Sequence, residues 1–132
     1  SRQARQQLTQ LPREKYVHLL VQLAVKNGAD PKLVYEAIRG GLAGSNVLDA
    51  KIGKMLEHEF QPGFRTELHI KDLTNALNAA HVTSTALPLT SQVMEIMQSL
   101  KAEGKEKEDH SAILRYYEKI SNTSLKNETS ES

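Results

Sequence analysis

The stretch FRTELHIKDLTNALNAAH, residues 64–81, is the longest uninterrupted helical pattern in the sequence. Its apolar residues recur every three or four positions, which is the spacing of one face of an α-helix. This stripe comprises Ile70, Leu73, Ala76, Leu77 and Ala80. The turn signal FQPG at residues 60–63 precedes it. The stretch therefore predicts a long amphipathic helix that packs one face on a core.

Further helical patterns, with start and stop signals, lie on both sides of this stretch. Before it, one helix ends at Gly28, a second begins after Asp30, and a third begins after Ser45. After it, a further helix precedes the last one, which Asp109 or Ser111 caps. The sequence has no alternating pattern typical of strands. It therefore predicts an all-α helical bundle of about six helices.

The two ends of the chain depart from this pattern. Residues 1–12 are polar and end at Pro12, which interrupts a helix, so they predict an atypical N-terminal arm. Residues 13–121 predict one helical domain. Residues 122–132 are polar, with Leu125 as the lone large apolar side chain, and predict a disordered tail.

Composition narrows the possible functions. The 132 residues include no cysteine, which excludes disulfides, thiolate metal sites and cysteine nucleophiles. The 17 basic and 16 acidic residues give no charge excess that would favour nucleic acid or an anionic membrane. No apolar run approaches the roughly 18 residues of a membrane-spanning helix. We expect a cytoplasmic protein with no nucleic-acid or membrane partner.

Short motifs that carry chemistry are few. The five histidines form no HxxxH pair, so a zinc site is not expected. The glycines of residues 40–44 follow a helix rather than a strand, which argues against a phosphate-binding loop. Ser45 lies in Gly-Ser-Asn rather than in a nucleophile elbow, and is better explained as a helix N-cap. These patterns predict no metal site and no catalytic serine.

The side of the long helix opposite its apolar stripe carries a different set of residues. At about 100° per residue this side comprises Phe64, Leu68, Lys71, Asn75 and Asn78. A side that meets only water has no need of an aromatic ring and a leucine, so the pattern indicates a second, partly apolar interface. The alternative is that Phe64 and Leu68 complete a neighbouring core while Lys71 is solvated.

The same region resembles a known family. Residues 60–73, FQPGFRTELHIKDL, are similar to the F-x-P-G-F…K-D-L signature of the β-hydroxyacid dehydrogenases, which include the 3-hydroxyisobutyrate dehydrogenases. Residues 30–49, 87–90 and 109–112 resemble further segments of that family in the same order. The resemblance extends over residues 23–120.

The resemblance implies a fold, a cofactor and a substrate class. Family members combine a Rossmann domain that holds NAD or NADP with an all-α C-terminal domain that closes the active site and builds the dimer. This chain resembles the helical part, which is similar to the 6-phosphogluconate dehydrogenase C-terminal-like domain. Residues 39–49 and 109–117 are most similar to the 2-hydroxy-3-oxopropionate (tartronate semialdehyde) reductases. A small semialdehyde or hydroxyacid substrate is therefore implied.

The resemblance also implies site residues. Lys71 is implied to bind the cofactor, and Phe64 and Asp72 to bind the substrate. A lysine cation suits the anionic and ribose groups of a dinucleotide, and a phenylalanine excludes water from the reacting atoms. The family's catalytic lysine motif has no match, since ungapped counting places that lysine at Gln3. No catalytic residue and no metal ligand is thus implied within this chain.

Two hypotheses of function follow. In the first, the chain is the substrate-closing and dimerisation domain of an NAD(P)-dependent dehydrogenase and is not catalytic alone, because a Rossmann-domain partner must supply the cofactor site. In the second, it is a non-catalytic helical interaction module that forms a homodimer through the apolar residues around Phe64 and Leu68.

Overall fold

The computed structural model describes residues 21–125. Their helices, in chain order, are α1 (residues 21–26), α2 (Pro31–Ile38), α3 (Asn46–Glu57), α4 (Thr66–Val82), α5 (Pro88–Ala102) and α6 (Ile113–Ser121), with a 3-10 turn at His110–Ala112 before α6. This part of the chain contains no strand and only one isolated bridge, between Arg65 and Asp109. The predicted all-α class is confirmed for it. None of these helices is both long and apolar enough to cross a bilayer.

The helix signals in the sequence act as expected. Gly28 follows α1 with a φ of +85°, a left-handed conformation that glycine adopts without strain. The Asp30 side chain accepts a hydrogen bond from the Lys32 N–H at 2.9 Å and caps α2. The Ser45 hydroxyl accepts one from the Leu48 N–H at 3.0 Å and caps α3. The interpretation of Ser45 as an N-cap is therefore confirmed.

The long helix differs from its predicted bounds at the N-terminus. The sequence predicted residues 64–81, whereas α4 begins at Thr66 and ends at Val82. Phe64 precedes the helix because its N–H is bonded to the Asp109 carboxylate, 45 positions later in the chain. A contact this distant in sequence has no signature in a local pattern.

The described residues fall into two compact units. The second unit, residues 60–116, has an apolar core formed where α4 and α5 pack together. Its buried members are Ile70, Leu73, Val93, Met94, Met97 and Leu100. Leu77 and Ile113 pack against this core from its edge. Most of the predicted apolar stripe of α4 is thus buried or half-buried. Ala76 is the exception, since it is exposed.

Among the described residues, the first unit comprises residues 21–59 and 117–125 and includes α3 and the C-terminal part of α6. Leu48, Ile52 and Met55 form the buried side of α3. A buried carboxylate, that of Glu118, accepts a hydrogen bond from the Leu125 N–H at 2.7 Å.

Leu125 itself is only 2% exposed, so the packed structure extends past Asn122, where the sequence predicted the tail to begin. The rest of that predicted tail and the predicted arm at residues 1–12 lie outside the described residues.

Candidate functional site

The candidate site is built around the turn that precedes α4. The Asp109 side chain is fully buried, and its Oδ1 accepts hydrogen bonds from the N–H groups of Gly63, at 2.9 Å, and Phe64, at 3.0 Å. Its Oδ2 accepts two more from Ser111, from the N–H at 3.1 Å and from the hydroxyl at 2.6 Å. A buried carboxylate is tolerated only with such partners, and here they fix the backbone around Phe64.

The segment before Asp109 completes this turn. The Thr66 and Glu67 N–H groups, which have no partner inside α4, donate to the carbonyls of Glu108 and Glu106 at 2.8 and 3.0 Å. The Lys107 ammonium lies 3.2 Å from a carboxylate oxygen of Glu67. The backbone of the mixed-charge run at residues 105–108 therefore caps α4.

Three aromatic rings meet at this turn. The Phe64 ring makes edge contacts with His69 and His110, with ring centroids 6.1 and 5.8 Å apart and interplanar angles of 80° and 78°. The two imidazoles lie 5.4 Å from each other at a tilt of 34°. Phe64 is half-buried in this arrangement. Edge-to-face packing of this kind fixes a ring's orientation as well as its place.

Burial favours the neutral form of one imidazole of the cluster, that of His69. Burial lowers the pKa of His69 below its ordinary value, because the charged imidazolium would lose its water, and the nearby Asp72 charge opposes this only in part. The His69 imidazole is therefore uncharged at neutral pH. A neutral His69 can pack against Phe64 and His110 without placing a charge among them.

Lys71 and Asp72 occupy the exposed side of α4, one to two turns beyond Phe64. The Lys71 ammonium lies 3.9 Å from the Asp72 carboxylate, and these side chains are 67% and 55% exposed. Leu68 is half-buried, while Asn75 and Asn78 are exposed. The second unit thus places all three residues implied by the resemblance, Phe64, Lys71 and Asp72, near the start of one helix.

Sequence reasoning missed three contributors to this site. The sequence patterns indicate no role for His69 and His110, and they predict only a cap of the last helix for Asp109. Asp109 instead caps the 3-10 turn at His110–Ala112, which leads into α6, and the same carboxylate also binds the turn at residues 63–64. The only sequence signal was the segment at residues 109–112, which accompanies the F-x-P-G-F motif in the family resemblance.

The glycine-rich loop at residues 40–44 has a structural explanation. A Cβ atom on Gly44 would lie 2.1 Å from the Arg39 carbonyl oxygen, so the loop closes only with glycine there. Nearby, the Tyr35 hydroxyl donates to Asp49, and this hydrogen bond raises the pKa of Tyr35. Within residues 21–125, no group of three His, Asp or Glu side chains has an arrangement that holds a metal ion.

Comparison with known proteins places the chain in a family. Residues 18–117 match the family model described as the NAD-binding domain of NADP-dependent 3-hydroxyisobutyrate dehydrogenase. The chain belongs to this family. The resemblance to the β-hydroxyacid dehydrogenases that its motifs indicated is therefore confirmed, and use of NAD(P) is a property of the family.

Individual relatives agree with this assignment. The chain is 38% identical over 102 residues to 2-hydroxy-3-oxopropionate reductase of Escherichia coli (strain K12), a match that covers 77% of this chain and 35% of the relative. It is 35% identical over 107 residues to the probable 3-hydroxyisobutyrate dehydrogenase-like 1, mitochondrial, of Arabidopsis thaliana, covering 81% of this chain and 32% of the relative. This dehydrogenase-family chain thus spans about a third of these relatives' length.

A solved structure supports the fold. The crystal structure of 3-hydroxyisobutyrate dehydrogenase from Salmonella typhimurium superposes with a TM-score of 0.74, at 21% sequence identity, over 84% of this chain and 39% of that one. The architecture of the dehydrogenase-family chain is therefore shared with part of a larger enzyme of the same family.

Proposed function

We propose that the chain is the C-terminal helical domain of an NAD(P)-dependent β-hydroxyacid dehydrogenase, of the 6-phosphogluconate dehydrogenase C-terminal-like type. In this role it closes the active site over a small semialdehyde, as in tartronate semialdehyde reduction, and it is not catalytic alone. The observation that carries the proposal is the exposed Lys71 and Asp72 pair on the helix that begins two residues after Phe64, whose N–H a buried carboxylate binds. The 38% identity to 2-hydroxy-3-oxopropionate reductase supports the choice of substrate.

The residues at this site fit a dinucleotide cofactor. The Lys71 ammonium is largely exposed, and its nearest carboxylate oxygen, on Asp72, lies at 3.9 Å, beyond a strong hydrogen bond. The cation is therefore available to a phosphate or ribose oxygen. When bound, NAD(P)H would supply the hydride, and Lys71 would hold the cofactor at the start of α4.

The chain's own residues would then shape the substrate side. The half-buried Phe64 ring offers an apolar wall that excludes water from the reacting carbonyl. The Asp72 carboxylate, 55% exposed, can accept a hydrogen bond from a substrate hydroxyl. Proton donation to the carbonyl oxygen falls to a group outside this chain, which is the reason that we assign no catalytic residue here.

Binding of the cofactor tests the role of Lys71. Titration of the chain with NADH and with NADPH, followed by nicotinamide fluorescence in the presence of the separately produced Rossmann domain of a relative, should give saturable binding. Lys71→Ala should weaken it about ten-fold or more, the value of one hydrogen bond to a charged group. Lys101→Ala, which removes an exposed lysine on α5, is the matched control and should bind like wild type.

The same mixture tests the reaction. With tartronate semialdehyde it should oxidise NAD(P)H, whereas the chain alone should not. Absence of binding and turnover in the mixture, or full turnover by the chain alone, would contradict the proposed division of labour.

The alternative is a homodimeric interaction module without catalysis, and exposed apolar side chains of the first unit favour it. These are Leu23, Leu33, Leu42 and Ile120, which are 60%, 67%, 94% and 61% exposed. A contiguous apolar patch formed by such side chains would mark an interface between proteins. Light scattering at tens of micromolar should give a dimer mass that Leu33→Asp reduces to a monomer, and a wild-type monomer would rule the module out.

A further inference from the structure

Phe64 is the one proposed substrate contact that no helix holds. It lies two residues before α4, in a turn, and its ring is half-buried. A phenyl ring in a turn can rotate about its side-chain torsions unless neighbouring groups prevent this. What fixes the ring therefore decides whether it can serve as a wall for a small substrate.

His110 holds Phe64 at two points. Its backbone N–H donates to the Phe64 carbonyl at 2.8 Å, and its imidazole makes an edge contact with the Phe64 ring at a centroid distance of 5.8 Å. The preceding residue, Asp109, binds the Phe64 N–H through its buried carboxylate at 3.0 Å. Adjacent residues of one segment thus fix the backbone of Phe64 from both sides, and one of them also reaches its ring.

His69 supports the same arrangement from α4. Its ring lies 6.1 Å from that of Phe64 and 5.4 Å from that of His110, so each of the three rings touches the other two. Since burial keeps His69 neutral, it acts here as a packing surface. Of the two histidines, His110 alone combines a ring contact with a backbone bond to Phe64.

We propose that His110 is a positioning residue that fixes the Phe64 ring in the orientation needed to border the substrate. The proposal rests on the function proposed above for Phe64. Loss of the imidazole leaves the backbone bond intact and frees the ring, so the effect falls on the substrate side of the site. The cofactor contact through Lys71, on the exposed side of α4, is unaffected.

The ring can be observed directly. The chain contains two phenylalanines, so incorporation of 4-fluorophenylalanine gives two ¹⁹F resonances. The second resonance comes from Phe60 and serves as an internal reference. The Arg115 guanidinium lies over the Phe60 ring, 4.5 Å from the ring centroid. Phe64→Tyr assigns the two signals.

Three substitutions at His110 separate the ring contact from general stability. In His110→Ala and His110→Gln, we expect the Phe64 resonance to move toward that of the free amino acid while the Phe60 resonance stays in place. In His110→Tyr, which restores a ring, the Phe64 resonance should return toward its wild-type position. His81→Ala, which removes an exposed histidine at the end of α4, should change neither signal. Thermal melts by circular dichroism identify any variant that fails to fold. If either His110→Ala or His110→Gln fails to fold, the other one tests whether the imidazole fixes the Phe64 ring.

Ligand binding supplies the second readout. Glycerate, the product of tartronate semialdehyde reduction, is titrated in the presence of the Rossmann domain and NADH. Its half-saturation should rise about two- to ten-fold in His110→Ala, the value of one aromatic pair, while NADH binding is unchanged. A Phe64 resonance that is identical in wild type, His110→Ala and His110→Gln would overturn the positioning role. A different outcome is that the Phe64 resonance moves as expected, but glycerate and NADH bind neither to wild type nor to His110→Ala. The proposed function then fails, whereas the positioning of Phe64 by His110 stands.

Discussion

Among residues 21–125, each of the two units buries one carboxylate, and the two carboxylates have different partners. In the second unit Asp109 is fully buried, and its carboxylate accepts hydrogen bonds from the N–H groups of Gly63 and Phe64 and from the N–H and hydroxyl of Ser111. In the first unit Glu118 contacts the His58 imidazole at 2.9 Å and accepts from the Leu125 N–H at 2.7 Å. One carboxylate organises a candidate site, whereas the other fastens a chain segment beside α6.

This difference indicates which single substitution should lower the free energy of unfolding most. Removing a buried carboxylate leaves its donors without partners, and the cost grows with the number of donors. Asp109 has four such bonds and Glu118 two contacts, so the second unit should depend more strongly on its carboxylate.

Asp109→Ala should have the largest effect, because it orphans the N–H groups of Gly63 and Phe64 together with Ser111. We expect a loss of about 3–5 kcal/mol in the free energy of unfolding, measured by urea denaturation. Asp109→Asn retains one acceptor oxygen and should lose about half as much. Equal stability of wild type and Asp109→Ala would show that the carboxylate does not hold the turn.

Leu100→Ala tests the other support of the second unit, its apolar core. Leu100 is 1% exposed between α4 and α5, so truncation leaves a cavity and should cost about 3 kcal/mol in the same assay. Leu89→Ala, on the same helix but 43% exposed, is the control and should cost less than about 0.5 kcal/mol. Similar losses for both leucines would contradict the packing described for α5.

Glu118→Gln should have a smaller effect in the first unit. The amide keeps one acceptor oxygen but loses its charge, so its bonds to His58 and to the Leu125 N–H weaken, at a cost of about 1–2 kcal/mol. Hydrogen exchange at the Leu125 amide gives a local readout and should become faster, while exchange at the Phe64 amide should not change. If the Phe64 amide responded equally, the two carboxylates would not act on separate regions.

The smallest effect concerns pH. Because burial lowers the pKa of His69 in the folded chain, the unfolded chain binds more protons as the pH falls through the ordinary value of 6.5. The contribution of His69 to stability is thus fully present above that pH and is lost below it. The urea midpoint of wild type should therefore fall more between about pH 7.5 and about pH 5.5 than that of His69→Gln. His81→Gln is the control and should behave like wild type; a His69→Gln protein with the full pH dependence would place the sensitivity elsewhere.

Local sequence patterns were enough to predict the helical class, most helix starts and the family. Capping is local, so Asp30 and Ser45 could be identified from the residues that follow them. The apolar stripe of α4 was equally readable, because helical spacing alone decides which side chains share a face. The family resemblance at residues 60–73 implied Phe64, Lys71 and Asp72 as site residues, and all three lie within that one short segment.

The groups around the site residues could be found only from the tertiary structure. Asp109 meets the Phe64 N–H across 45 positions, and His110 meets the Phe64 ring across a similar distance. Helical periodicity carries no information about contacts between segments so far apart, because only packing of the chain brings them together. For the same reason, the start of α4 at Thr66 followed from hydrogen bonds to distant carbonyls, such as that of Glu108, rather than from local propensity.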